Sequence, residues 1–148
     1  MEEYRLRKAT EKDTNRIKEL IREGQINPMG LDWQRFIVAL SPKGEVIGCG
    51  QIKPHRDGSN ELASLVVTKE WRGRGVAKIL MKELIDNHQG DLYLMCQSSL
   101  GPFYQQYNFE PVTEDNMPKY FRRISKLVGF VEPLTKRGET ILVMIHKN

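Results

Sequence analysis

The chain has 148 residues, of which 39% are hydrophobic and 28% charged, and it carries a net charge of +4 at pH 7. This length predicts one domain spanning 1–148, large enough to bury a core without disulfides or metals. The mild positive charge suits an anionic ligand such as a phosphorylated cofactor, and is too small to argue for nucleic acid.

Cys49 and Cys96 each lie in a run that reads as a buried strand, and no C-x-x-C pair exists. Reduced core thiols and no metal site are therefore expected. The opening Met1-Glu2-Glu3-Tyr4-Arg5 is too acidic and polar for a signal or transit peptide, and no apolar run approaches membrane-spanning length. A soluble cytoplasmic protein without a membrane partner is the expectation.

In chain order, Tyr4–Ala9 alternates weakly as a strand, and Thr10 is a good N-cap with an acid three residues later. Ile17, Leu20 and Ile21 recur at helical spacing until Gly24. Asn27-Pro28 and Met29-Gly30 are turn signals. Phe36–Leu40 and Glu45–Pro54 read as two strands joined by the turn Ser41-Pro42-Lys43-Gly44, and a loop from His55 to Asn60 leads into a strand over Glu61–Thr68. Val76, Ile79, Leu80, Leu84 and Ile85 mark an amphipathic helix ending near Gly90. Leu92–Cys96 is a further strand, Phe103–Tyr107 a short helix, Pro118–Val128 another helix, and Glu139–Ile145 a last strand, with Phe130–Leu134 as its prospective antiparallel partner. The order predicts a mixed α/β architecture around one sheet.

The segment Arg72-Gly73-Arg74-Gly75-Val76-Ala77, between a strand and a helix, has the make-up of a phosphate site. Backbone N–H groups at a helix N-terminus point outward and the helix dipole favours negative charge there. Glycines admit close approach, and arginines add charge-assisted hydrogen bonds. A Walker A loop would need Lys-Ser/Thr after its second glycine, whereas Val76-Ala77 follows Gly75; a dinucleotide fingerprint counted from Gly73 would need a small sixth residue, which is Lys78.

What fits is Arg-x-x-Gly-x-Ala, formed by Arg72, Gly75 and Ala77. It resembles the pyrophosphate motif of the GNAT superfamily of N-acetyltransferases, written Gln/Arg-x-x-Gly-x-Gly/Ala. The resemblance runs from Glu61 to Leu84, including Leu65-Val66-Val67, and resumes at Phe103-Tyr104-Gln105-Gln106-Tyr107-Asn108-Phe109, which is similar to the family's Phe-Tyr-x-x-x-Gly-Phe. Asn108 stands where the family has glycine, and asparagine tolerates the left-handed backbone that glycine would supply.

The resemblance implies a mixed, mostly antiparallel central sheet with a splayed parallel strand pair, flanked by helices on both faces. It implies acetyl-CoA as cosubstrate. Backbone groups of Leu65, Val66 and Val67 would bind the pantetheine arm, and one of their N–H groups would polarise the thioester carbonyl. The amides of Arg72, Gly73, Arg74, Gly75, Val76, Ala77 and Lys78 would take the pyrophosphate. Glu61 corresponds to a glutamate base, usually acting through water, and Tyr104 to a tyrosine near the CoA sulfur that would act as the acid toward the departing thiolate. The family often has an asparagine before that tyrosine; here Ser98 or Ser99 would cap the helix and bind instead.

His55, His88 and His146 are scattered, and a surface or structural role is expected of each. Trp33 and Trp71 read as packing residues. Lys119, Arg122, Arg123 and Lys126 form one basic helix face, read first as solvated. Asp32, Glu110 and Asp115 are loop acids that could steer an amine. An exposed final strand could support a homodimer. These readings lead to an N-acetyltransferase acting on an amine of a small molecule or peptide by direct attack, since no cysteine is placed as an acyl carrier. The alternatives are a non-catalytic acyl-CoA-binding regulatory domain and, with little support, a nucleic-acid-binding domain.

Overall fold

The computed structural model of the chain describes residues 4–131 and 140–147. Backbone packing groups the chain into two compact units, one made of Met1–Lys53 with Leu62–His88 and the other of Pro54–Glu61 with Gln89–Asn148.

In the first unit, β1 (Arg5–Lys8) pairs antiparallel with β2 (Phe36–Leu40), and β2 pairs antiparallel with β3 (Val46–Pro54). The Ser41–Gly44 turn holds because the Ser41 N–H donates to Glu45 O and the Ser41 hydroxyl accepts from the N–H groups of Lys43 and Glu45. Ala39 faces Gly48 while Leu40 faces Val46, so Ile47 is an extra residue that bulges β3. The bulge places Ile47 and Cys49 in separate core clusters, although they are two residues apart.

Those clusters lie on opposite faces, following the two-residue period of a strand. Phe36, Val38, Leu40 and Cys49 pack with Ile17, Leu20 and Ile21 of α1 (Thr14–Glu23). Ala39 and Ile47 pack with Val76 and Leu80 of α2 (Val76–Asp86). The last strand of this unit, β4 (Asn60–Val67), divides its side chains likewise, Val66 toward α1 and Val67 toward α2. α2 lies close to β3 because β3 carries glycine beneath it. A Cβ on Gly48 would sit 3.0 Å from Leu80 Cδ1 and 3.1 Å from the Val66 carbonyl oxygen, and one on Gly50 2.9 Å from Leu84 Cδ1.

The second unit holds β5 (Leu92–Gln97), α3 (Gly101–Gln105), β6 (Glu110–Pro111), α4 (Lys119–Val131) and β7 (Ile141–His146). Glu61, at the start of β4, pairs parallel with Tyr93 of β5, and β5 pairs antiparallel with β7 from Leu92↔His146 to Gln97↔Ile141. Strand neighbours follow the order β1-β2-β3-β4-β5-β7-β6, a mixed and mostly antiparallel sheet with one parallel pair.

Three expectations change here. Phe130 and Val131 continue α4 instead of starting a strand, and the rest of that expected segment, with Glu139, lies outside the described residues. The final strand is not an exposed edge, because β6 covers it through Glu110↔Ile145 and Pro111↔Met144. Glu110 is therefore in a short strand and not a loop. The two cysteines are unpaired and buried, as expected. No helix among the described residues is long and apolar enough to cross a membrane, and among them no three His, Cys, Asp or Glu side chains are grouped to hold a metal ion.

Candidate active site

The glycine turn follows directly on β4. Thr68 opens a single 3-10 turn, Lys69–Trp71, after which Arg72 to Gly75 lead into α2. Gly73 and Gly75 have φ of +76° and +84°, and no atom lies within 4 Å of where either would carry a Cβ. Both glycines are therefore required by backbone conformation, and they leave the surface of the turn bare. The first intrahelical bond runs from Ile79 N–H to Gly75 O. The amides of Val76, Ala77 and Lys78 precede it and have no partner within the helix, which is the arrangement that receives a phosphate.

The turn is held from outside by a residue that sequence inspection passes over. Glu23, the last residue of α1, accepts from Lys69 N–H at 2.8 Å and from the Thr68 hydroxyl at 3.1 Å. The Lys69 bond first, with help from Thr68 and the nearby Arg72 charge, outweighs desolvation and holds this carboxyl below its ordinary range. Arg72 Nε donates to the Val67 carbonyl at 2.9 Å, and the Arg74 guanidinium lies 4.7 Å above the Trp71 ring. Both arginines thus stiffen the turn as well as charging it.

Within β4, Ser64 has φ +58°, a left-handed residue in mid-strand. Its hydroxyl accepts from Gln51 Nε2 at 2.8 Å, and the same amide donates to Gly30 O at 3.2 Å. The neighbouring Lys53 donates to Met29 O. Together these bonds strap the Met29-Gly30 turn to β3. Leu65 packs against the α2-side cluster, while Val66 and Val67 are buried.

In the second unit Glu61 is only 7% exposed. Its Oε1 lies 2.8 Å from His55 Nε2, and the His55 side chain is itself 8% exposed. Of the surface and structural roles expected of His55, this burial excludes the first. The five-residue loop between β3 and β4 folds back, His55 N–H donating to Ser59 O, and so carries His55 beside Glu61. The imidazole stacks on Tyr120 at 3.6 Å between ring centroids and meets Phe121 edge-on at 5.6 Å.

Asp57 fixes that stack by accepting from Tyr120 N–H at 2.9 Å, an N-terminal cap for α4 supplied from a distant loop. Desolvation opposes its charge, yet the bonds from Ser59 and Tyr120 keep its carboxyl below the ordinary range. Burial, and then the charge of Glu61, raise the Tyr120 phenol. The one sequence clue to this cluster was the hairpin itself, with His55 and Glu61 flanking a five-residue loop.

Tyr104 lies on α3, edge-on to Phe103 and Phe109 at 5.1 and 6.1 Å. Burial pushes its phenol up to about 12, with a smaller contribution from Cys96. Asn108 adopts φ +67°, the left-handed conformation expected of it. Ser98 does not cap α3. Its hydroxyl accepts from Thr140 N–H and its N–H donates to Thr140 O, which ties the end of β5 to the approach to β7. Ser99 lies in the 3-10 turn Ser98–Leu100.

On α4, Lys119, Arg122, Arg123 and Lys126 line a shallow cavity of about 230 Å³. Arg122 donates to the carbonyls of Glu114, Asp115 and Met117, and Lys126 lies 3.7 Å from Glu114. Asp32 caps the 3-10 turn at Trp33 by accepting from Gln34 N–H.

Residues 32–111, which hold the glycine turn, Glu61 and Tyr104, match the Acetyltransferase (GNAT) domain family. The chain belongs to the GNAT acetyltransferase family. No curated protein matches it in sequence. The GNAT fold is shared with N-acetylglutamate synthase from Neisseria gonorrhoeae, complexed with coenzyme A and N-acetyl-glutamate, at TM-score 0.75 and 19% identity over 98% of this chain. Rv2747 from Mycobacterium tuberculosis, in complex with CoA, aligns at TM-score 0.72 and 18% identity over 97% of this chain and 99% of its own. Escherichia coli ElaA aligns at TM-score 0.67 and 17% identity over 99% of this chain and 100% of its own. This GNAT chain spans about a third of the length of the N-acetylglutamate synthase chain, 35% of it.

Proposed function

We propose that residues 1–148 form a single N-acetyltransferase domain that moves an acetyl group from acetyl-CoA to a primary amine of a small molecule or peptide, by direct attack in a ternary complex. The pyrophosphate rests on the amides between Arg72 and Lys78, and the backbone of Leu65–Val67 holds the pantetheine arm. Glu61, directly or through water, takes a proton from the acceptor ammonium. The freed lone pair attacks the thioester carbonyl carbon, a backbone N–H of β4 stabilises the developing oxyanion, and the C–S bond then breaks. Tyr104 is a neutral phenol that donates a hydrogen bond to the departing sulfur. With its phenol near 12 and a thiol near about 8.5, the thiolate takes its proton from solvent, and the acylated nitrogen releases its second proton to solvent to give the neutral amide.

The observation that supports catalysis over simple acyl-CoA binding is the buried Glu61 beside His55. An ionisable pair withdrawn from water is costly, and a purely binding module has no need of it. Direct transfer is supported by the cysteines, since burial pushes the Cys49 thiol up to about 12 and raises that of Cys96, leaving neither as a thiolate carrier.

The deciding test is thiol release from acetyl-CoA with a panel of amines, opened with amino acids because one fold relative carries N-acetyl-glutamate. Turnover on an amine sustains the reading. Binding of acetyl-CoA without turnover on any amine would leave an acyl-CoA-binding regulatory domain in its place.

A further inference from the structure

Glu61 is not an isolated carboxylate. Oε1 is engaged by His55 Nε2 at 2.8 Å, and the imidazole is clamped between the Tyr120 face and the Phe121 edge. The clamp is specified by the backbone, because Asp57 accepts from both Ser59 and Tyr120 N–H and so joins the β3–β4 loop to the first turn of α4. A glutamate side chain has three rotatable bonds; one anchored oxygen fixes its orientation and leaves the second oxygen available to take a proton.

We propose that His55 is the positioning residue for Glu61, held in place by Tyr120 and Asp57. This rests on the acetyltransferase reading above. The imidazole donates Nε2–H to Oε1 and stays hydrogen-bonded while Oε2 receives the acceptor proton; no proton leaves His55 in the step. The charged and titratable groups facing the imidazole are Glu61 from β4, Asp57 from its own loop and Tyr120 from α4.

The experiment is steady-state kinetics of the full chain from pH 5 to 9, comparing wild type with His55→Ala and His55→Gln, with the Tm of each variant. Glutamine retains an N–H donor but cannot gain a proton. His55→Ala should lower kcat by about 10- to 100-fold, with KM for acetyl-CoA unchanged. His55→Gln, which keeps a donor for the carboxylate, should recover kcat to within about fivefold of wild type. A merely structural histidine would lower Tm in both variants, with kcat of the folded protein unchanged and no rescue by glutamine over alanine. Wild-type turnover with a His55→Ala kcat equal to it, or a folded His55→Gln no faster than His55→Ala, overturns the assignment of His55 alone. Absence of wild-type turnover on every amine overturns the enzyme reading and the assignment with it.

Discussion

Nε2 of His55 lies 2.8 Å from Oε1 of Glu61, with both side chains more than nine-tenths buried. In the proposed reaction, a carboxylate so held is oriented before the acceptor arrives. Glu61→Gln preserves the bond from His55 and removes the base. It should lower kcat by roughly 10²- to 10⁴-fold near neutral pH, leaving KM for acetyl-CoA unchanged. The deficit should shrink as pH approaches the pKa of the acceptor amine, because a neutral amine needs no base. An equal deficit at every pH would move the base elsewhere.

Tyr104 is proposed to bear on the leaving group. With its phenol pushed up to about 12, it remains a neutral donor across the working range. The rate should therefore show no loss attributable to Tyr104 ionisation below about pH 11. Tyr104→Phe removes the donor and should lower kcat about 10- to 100-fold with little change in acetyl-CoA affinity, measured by calorimetry beside kinetics. Parallel losses in both quantities would make the ring a packing group for the cofactor instead.

The glycine turn admits a controlled comparison. Gly75→Ala forces a left-handed alanine at φ +84° and adds a methyl where the phosphate is expected to approach. It should cost about 1–2 kcal/mol of stability and raise KM for acetyl-CoA about tenfold. Gly44→Ala, at φ +85° in the β2–β3 turn, carries the same backbone strain. It should lower Tm similarly while leaving KM unchanged. If both variants bind acetyl-CoA alike, the turn does not hold the pyrophosphate.

Stability should also respond to acid through Asp13. The bond from Arg7 first, and bonds from Thr10, outweigh desolvation and hold this carboxyl below its ordinary range. A pKa depressed in the folded state adds stability above the unfolded value of about 4, and the gain disappears as pH falls through the folded value. Asp13→Asn should cost about 1–2 kcal/mol at pH 7, a Tm loss of about 2–6 °C. The difference from wild type should shrink steadily below about pH 4, as followed by thermal melts. A constant difference down to pH 2 would assign the effect to shape and not to charge.

Much of the first unit was legible because its signals are local. Gly75 marked the helix start through its conformation, Ser41–Gly44 marked a hairpin, and the spacing of Ile17, Leu20 and Ile21 marked the α1 face. The bulge at Ile47 was hidden, since a register shift appears only when the strand meets its partner. Ser98 has the local make-up of a cap, but its partner, Thr140, is 42 residues away. Glu23 was overlooked for the same reason, its bonds running to Thr68 and Lys69 from 45 and 46 residues before them.

By itself the sequence determined the glycine turn on which the pyrophosphate is proposed to rest, since glycine at left-handed positions before a helix is a requirement of the backbone and needs no distant contact. Only the tertiary structure decided what Glu61 is. Burial, the His55 contact, the Tyr120 stack and the Asp57 cap depend on packing that joins a hairpin loop to a helix about sixty residues later. No local pattern encodes that proximity, because it is set by how the second unit closes its core around Phe121.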